Sequence, residues 1–396
     1  TVFKSLGAEL ASPFLRAIFP RLFLFCDEKF APLREAFEKC FKEQGDIGAS
    51  FAVTKDGEYV ADLWGGYLDQ ERTSPWVEDT IVNVYSSTKT MMALVALVLS
   101  DRGEIDLYAP VCRYWPEFAS NGKERIEVRH LLSHTAGLSG LDNAILEEDL
   151  YDWEKIVALL EQQRPWWEPG KVSGYHAITQ GYLVGEVVRR VTGRTLGQFF
   201  SEEIAQPLSA DFYIGTPKEH FPRIGNLIAD FETPQFDDVE PGSIQEKTFK
   251  SPLVTTSASR TDEWRLAEIP AANGHGNARS VVKAQTPLAN QGSGFGVDLL
   301  SPDGAARIFD EQSNGEDLVL RIPVRFGMGY GLNGSGGGLG PNTQVAYWGG
   351  WGGSLVVLDQ DSHLCMSYVM NKMNSDTTLG DLRGIQLVLA AYSCIK

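Results

Sequence analysis

VYSSTKTMM, residues Val84–Met92, crowds Ser86, Ser87 and Thr88 against Lys89 at the head of an apolar run. The continuation, MMALVALVLSDRG, reads as a buried helix stopped at Gly103. Ser86 and Lys89 form a Ser-x-x-Lys pair, and residues three apart on a helix share a face. Ser86 then stands at a helix N-terminus, where unpaired backbone N–H groups favour an attacking alkoxide or the oxyanion it produces. Lys89 can take the serine proton only as a neutral amine. A free lysine, with a pKa near 10.4, is neutral in roughly one molecule in two thousand at pH 7. Burial has to lower it by about three units, on the order of 4 kcal/mol. Ser87 and Thr88 point to other faces and read as helix caps. The bare spacing is weak evidence, because Ser120–Lys123, Ser280–Lys283 and Ser393–Lys396 repeat it. Taken alone, the motif is more simply a cap and a solvated charge. Context decides.

Upstream, Phe30, Leu33, Phe37, Cys40 and Phe41 recur at helical spacing and predict a helix over residues 28–44. GASFAVTK and EYVADLWGG follow as strands joined by the turn Lys55-Asp56-Gly57. Downstream to about residue 325, helices and loops dominate; AITQGYLVGEVVRRVTG is the clearest helix, with Gly193 as its C-terminal cap. After a glycine-rich patch from Gly331 to Gly340 come three strand-like runs, TQVAYW, SLVVLD and HLCMSYVMNKM, and a closing helix in LGDLRGIQLVLAAYSC. Strands at both ends with helices between predict one sheet built from the two termini, with a helical lobe inserted. The expected division is an N-terminal arm, 1–27, an α/β lobe from 28–85 and 326–396, and a helical lobe, 86–325. Residues 86–89 fall at the switch between lobes, where clefts form.

The whole chain of 396 residues, 43% apolar, can bury a large core. Its net charge of −17, from 35 basic and 52 acidic residues, disfavours nucleic acid and mildly repels anionic substrates. Pro13–Cys26 is the most apolar N-terminal stretch, but Arg16, Pro20 and Arg21 interrupt it. It reads as an amphipathic arm that packs on the body or rims a pocket, rather than a membrane span or a signal segment. The five cysteines are scattered without a C-x-x-C pair, which fits a reduced, cytoplasmic setting. Oligomeric state is not legible.

Competing chemistries fare poorly. Gly329-Tyr-Gly-Leu-Asn-Gly334 matches a dinucleotide fingerprint, yet no helix pattern follows it. His130 and His134 are four apart, but a zincin needs Glu where Leu131 stands, so they read as a structural pair. The G-x-S-x-G nucleophile elbow is absent.

The order of segments carries the reading further. Ser86-x-x-Lys89, HLLSHTAGL, EPGKVSGYHAITQGYLVGEVVRRVTG, AEIPAANGHGNARS and YWGGWGGSLVVLD, taken together, resemble the serine β-lactamase-related family, and within it the family VIII carboxylesterases. The likeness runs from about residue 30 to the end. It implies a β-lactamase/transpeptidase-like α/β (α+β) fold, a mixed antiparallel sheet flanked by helices with an inserted helical lobe. It also implies an acyl-enzyme on Ser86, Lys89 as neighbouring base and Tyr175 as proton relay. The N–H groups of Ser86 and Trp351 become oxyanion-hole candidates; Trp348, Gly349, Gly350 and His176 become substrate contacts. No metal or organic cofactor is implied.

Departures from the lactamase pattern point to the substrate. Tyr175-His176-Ala177 stands where class C enzymes have Tyr-x-Asn, and Trp348-Gly349-Gly350 where they have Lys-Thr-Gly. Losing both polar anchors, and gaining an aromatic ring, favours a small uncharged ester. The expectation is a carboxylesterase. Acyl transfer through the same acyl-enzyme, or β-lactamase or D-amino peptidase activity, are the alternatives.

Overall fold

The computed structural model describes residues 22–26, 28–235, 239–334, 338–375 and 380–395. In chain order, β1 (Leu22–Cys26) precedes α1 (Ala31–Glu43), β2 (Gly48–Lys55), β3 (Glu58–Gly66) and α2 (Thr88–Asp101). Then come α3 (Thr179–Thr192), α4 (Ala278–Ala289), β4 (Ser313–Glu316), β5 (Pro323–Phe326) and β6 (Gly331–Leu332). Last are β7 (Val345–Gly349), β8 (Leu355–Asp359), β9 (Leu364–Met370) and α5 (Leu382–Ser393).

Among the described residues, nine strands form one antiparallel sheet in the order β1-β3-β2-β9-β8-β7-β6-β5-β4. The termini do meet in its centre, where β2 pairs β9 along seven residues, Ala49 opposite Met370 to Lys55 opposite Leu364. The β2–β3 hairpin closes through Asp56 and Gly57, both with positive φ, as a tight two-residue connection requires. Helices cover both faces. On β9, Cys365 lies opposite Thr54, whose hydroxyl bonds Thr286 of α4, while Tyr368, three residues on and so on the other face, stacks under Arg383 of α5. This explains why β2 is buried along nearly its whole length instead of alternating.

The segment boundaries differ from expectation at three places. Leu22–Cys26, expected in an arm that packs on the body or rims a pocket, is a strand that pairs β3 and forms the sheet edge. Residues 1–21 and 27 of the expected arm lie outside the described residues. The C-terminal part of the sheet starts at Ser313, because β4 and β5 add two further strands before residue 326. α4, inside the expected helical lobe, packs across β2, β8 and β9 and so belongs to the α/β lobe.

α2 runs through the middle of the molecule, between α4 on one side and α3 on the other. Every residue from Thr88 to Leu99 is buried, which is why its pattern is apolar all round. Each of its large apolar side chains stabilises the fold by about 1.5–3 kcal/mol. α3 ends at Gly193 with φ 72°, a left-handed cap that a β-carbon would strain. Among the described residues, no helix is long and apolar enough to cross a membrane.

Candidate active site

Ser86 sits in a single 3-10 turn, Tyr85–Ser87, between the short strand Val82–Asn83 and α2. Tyr85 has φ 43°, a left-handed conformation that costs a non-glycine residue roughly 1–2 kcal/mol. Packing holds it there: its ring lies 5.0 Å from that of Trp351 and 6.2 Å from that of Trp264. The kink turns Ser86 out of the core toward a cleft of about 830 Å³, open mouth included.

Three side chains converge on that point. Ser86 Oγ is 2.5 Å from Tyr175 Oη, and Lys89 Nζ is 3.2 Å from Ser86 Oγ. Lys89 is 1% exposed and, among the described residues, faces no carboxylate; its other partners are the carbonyls of Ala177, at 2.7 Å, and Ala271, at 2.8 Å. Burial alone pushes its amine well below the usual lysine value. A neutral amine has two N–H groups for the two carbonyls and one lone pair, which is left for the Ser86 proton. Protonated, its third N–H still finds Ser86. Both states are therefore satisfied without rearrangement. The Tyr175 phenol is raised above its usual value, first by burial; the Ser86 bond opposes this and the Asp317 charge adds to it. It is a proton donor at rest, not a phenolate.

The expected oxyanion donors lie on two touching segments. Gly350 meets the nucleophile turn so closely that a β-carbon would stand 2.1 Å from Val84 O. Ser354 ties the two together: its hydroxyl donates to Val84 O at 2.8 Å and bonds the Ser87 hydroxyl at 2.9 Å, and its carbonyl accepts from Gly350 N–H. Trp351 N–H donates to no described residue, and Ser86 N–H is in a first helical turn, whose donors lack intrahelical partners. Ser87 stands at the N-cap position of α2 but makes no side-chain capping bond, and Thr88 does not cap the helix either. Thr88 Oγ1 donates to Tyr85 O and accepts from Gly274 N–H, bracing the kink.

Several expected substrate contacts are elsewhere. Gly349 and Trp351 line the cleft, as do Ser86 and Tyr175. His176 does not: it is fully buried, its Nε2 accepts from Leu138 N–H, and its Nδ1 bonds Gly174 O at 2.6 Å. These bonds fix one neutral tautomer, and burial pushes its pKa down to about 3. Trp348 is 2% exposed and packs against His134, Tyr175 and Phe326. It supports the Tyr175 ring from behind and offers no face to the cleft. Gly350 is turned to Val84, not to substrate space. Trp166 and Trp167 donate their indole N–H groups to Asp142 Oδ1 and Val172 O.

The rival motifs within the described residues have structural roles, while Lys396 of the third Ser-x-x-Lys match lies outside them. Ser280 completes a capping box with Asn277 at the start of α4. Lys123 donates to three carbonyls. His130 caps its own helix through Glu127, and His134 Nδ1 accepts from His176 N–H. Among the described residues, no three His, Cys, Asp or Glu side chains converge to hold a metal.

Two contributors are not among the expected site residues. Asp317, fully buried, accepts the Tyr175 N–H at 3.0 Å. His134, inside a segment read as structural, packs on the Tyr175 ring at 5.0 Å.

The chain is similar to known proteins along most of its length. The sequence model described as Beta-lactamase matches residues 33–390. The Esterase/beta-lactamase LipL of Mycobacterium tuberculosis is 32% identical over 92% of this chain and 86% of its own. A crystal structure of a family VIII carboxylesterase is 40% identical, with a TM-score of 0.88 over 94% of this chain and 100% of that one. A penicillin-binding protein homolog from Caulobacter crescentus is 36% identical at the same TM-score and the same coverage.

Proposed function

Since the chain belongs to the beta-lactamase family, we propose that it is a serine hydrolase of uncharged carboxylic esters, with Ser86 as nucleophile. Lys89 takes the Ser86 proton as Oγ attacks the ester carbonyl carbon. The N–H groups of Ser86 and Trp351 receive the oxyanion. As the tetrahedral intermediate collapses, Tyr175 gives its proton to the departing alkoxide, and Lys89 passes the proton it took from Ser86 to the Tyr175 oxygen. The alcohol leaves, and an ester to Ser86 Oγ remains. Water then loses a proton to the same relay, attacks the acyl carbon and releases the acid. Ser86 regains its hydrogen.

One observation carries this reading: the Ser86 hydroxyl lies within hydrogen-bond reach of both a phenol and a buried amine that has no counter-ion among the described residues. The cleft supports the substrate class. Ile178, Phe249, Pro252, Val254, Leu320 and Trp351 give it apolar walls, and none of its described lining residues is charged. A substrate carboxylate finds no cation there, and Trp348, at the position of the lactamase lysine, is buried behind Tyr175. β-Lactam or D-amino peptide turnover is correspondingly disfavoured. The same apolar walls favour an alcohol over water as acyl acceptor, so acyl transfer is the second reading.

Wild type and Ser86→Ala, compared on short-chain nitrophenyl esters and a chromogenic cephalosporin, test the assignment. Ester turnover exceeding cephalosporin turnover, lost in the variant, is expected. Faster cephalosporin turnover, or a fully active variant, overturns it.

A further inference from the structure

Tyr175 stands in a loop before α3, with no regular element to fix it. Its phenol must nonetheless stay within hydrogen-bond reach of Ser86 through both half-reactions. Three consecutive backbone N–H groups show how the loop is held. Gly174 N–H donates to His134 O at 2.9 Å, Tyr175 N–H to Asp317 Oδ1 at 3.0 Å, and His176 N–H to His134 Nδ1 at 3.0 Å. Asp317 Oδ1 also accepts from Val319 N–H and Leu320 N–H, each at 2.9 Å, and Leu320 lines the cleft. Ser173 O, two residues before Tyr175, accepts from Leu318 N–H. One carboxylate oxygen therefore fastens the phenol's own backbone to a cleft wall. The second oxygen, Oδ2, is buried with no hydrogen-bond partner among the described residues. Leaving a buried carboxylate oxygen unpaired is costly, which marks a group kept for more than filling space.

We propose that Asp317 is a positioning residue for Tyr175: its carboxylate, by accepting the Tyr175 N–H, holds the phenol against Ser86 and fixes the Leu320 wall beside it. The proposal rests on the ester-hydrolase reading of Ser86. Asp317 touches no reacting atom; its effect runs through the place of one hydroxyl. A displacement of an ångström there costs up to about a hundredfold in rate.

The experiment is a double-mutant cycle on a short-chain nitrophenyl ester. It uses the full-length chain as wild type, Asp317→Ala, Tyr175→Phe and the double variant, with Asp317→Asn as the conservative rescue. Asp317→Ala lowers kcat between about tenfold and a hundredfold while KM moves less than about threefold. Asp317→Asn keeps an acceptor oxygen at the same reach and retains kcat within about threefold. In the Tyr175→Phe background, which has no hydroxyl to misplace, adding Asp317→Ala changes kcat by less than about twofold. A structural role would move kcat equally in both backgrounds. That result, an unchanged kcat in Asp317→Ala, or Asp317→Asn falling as far as Asp317→Ala overturns the proposal. Should Asp317→Ala fail to fold, Asp317→Ser, too short to reach all three N–H groups, takes its place with the same expectations. Ser86→Ala, run in parallel on the same ester, separates the two claims: activity surviving there removes the nucleophile whatever the Asp317 variants do.

Discussion

Lys89 and Arg383 are both basic side chains buried to within 2% of full exclusion from water, and the fold treats them in opposite ways. Arg383, on α5, pairs Asp46 at 2.5 Å and Asp381 at 2.8 Å through Nε, and donates to Lys372 O. Tyr368 adds its hydroxyl to both oxygens of Asp46. The cluster is a closed set of charges joining the chain's two ends. Lys89 receives carbonyls and a serine but no carboxylate. A guanidinium cannot shed its proton, so its burial requires anions; an amine can, so its burial without anions yields a base. Neutralisation on one side and pairing on the other separate the chemistry from the scaffold.

Four changes break or sharpen that contrast. The largest effect falls on Lys89. Lys89→Met lowers kcat for ester hydrolysis between about a hundredfold and ten-thousandfold, the range of a lost general base. Lys89→Arg does no better, because charge without a removable proton is useless here; an active arginine variant, in steady-state assays, contradicts the role.

Asp46→Ala is the counterpart on the scaffold. Removing one partner of a buried ion pair costs about 3–5 kcal/mol, read from urea unfolding midpoints, while kcat of the folded enzyme stays within about twofold. A collapse of kcat at unchanged stability would erase the division of labour.

A smaller, graded effect comes with pH. Acid protonates Lys89, so kcat/KM rises with pH through its folded-state pKa, well below the ordinary lysine value, and then levels. Between that depressed pKa and the unfolded value near 10.4, the folded state binds fewer protons than the unfolded one. The stability of wild type relative to Lys89→Met therefore rises with pH across this window. Parallel stability curves would show that Lys89 stays charged.

The smallest change is Trp348→Phe. Its indole N–H has no partner, so only packing area behind Tyr175 is lost. Stability falls by about 1–2 kcal/mol and kcat stays within about threefold, by thermal unfolding and steady-state kinetics. A large change in KM alone would return Trp348 to the substrate side.

What the sequence discloses depends on whether a residue's role is written in its neighbours. The Asp56-Gly57 turn and the Gly193 cap are local events, since each needs positive φ and a small or tolerant residue supplies it. The partners Ser86, Lys89 and Tyr175 are distant, but their segments occur in a recognisable order. The edge strand Leu22–Cys26 is hidden because LFLFC has no alternation to mark it as a strand. β4, with the sequence SNGE, carries no apolar signal at all. Trp348 and His176 sit beside residues that do line the cleft, and only the fold shows that they face inward. Asp317 has no motif, because its work is done by one carboxylate oxygen on N–H groups that any sequence possesses.

The central claim is that a neutral Lys89 activates Ser86. The most direct measurement follows the rate at which an uncharged fluorophosphonate modifies the enzyme across pH, with the modified residue mapped by peptide mass. The account predicts a single adduct on Ser86, forming faster as pH rises through one ionisation far below 10.4. An adduct on another residue, or a rate that keeps climbing to the ordinary lysine pKa, would contradict it.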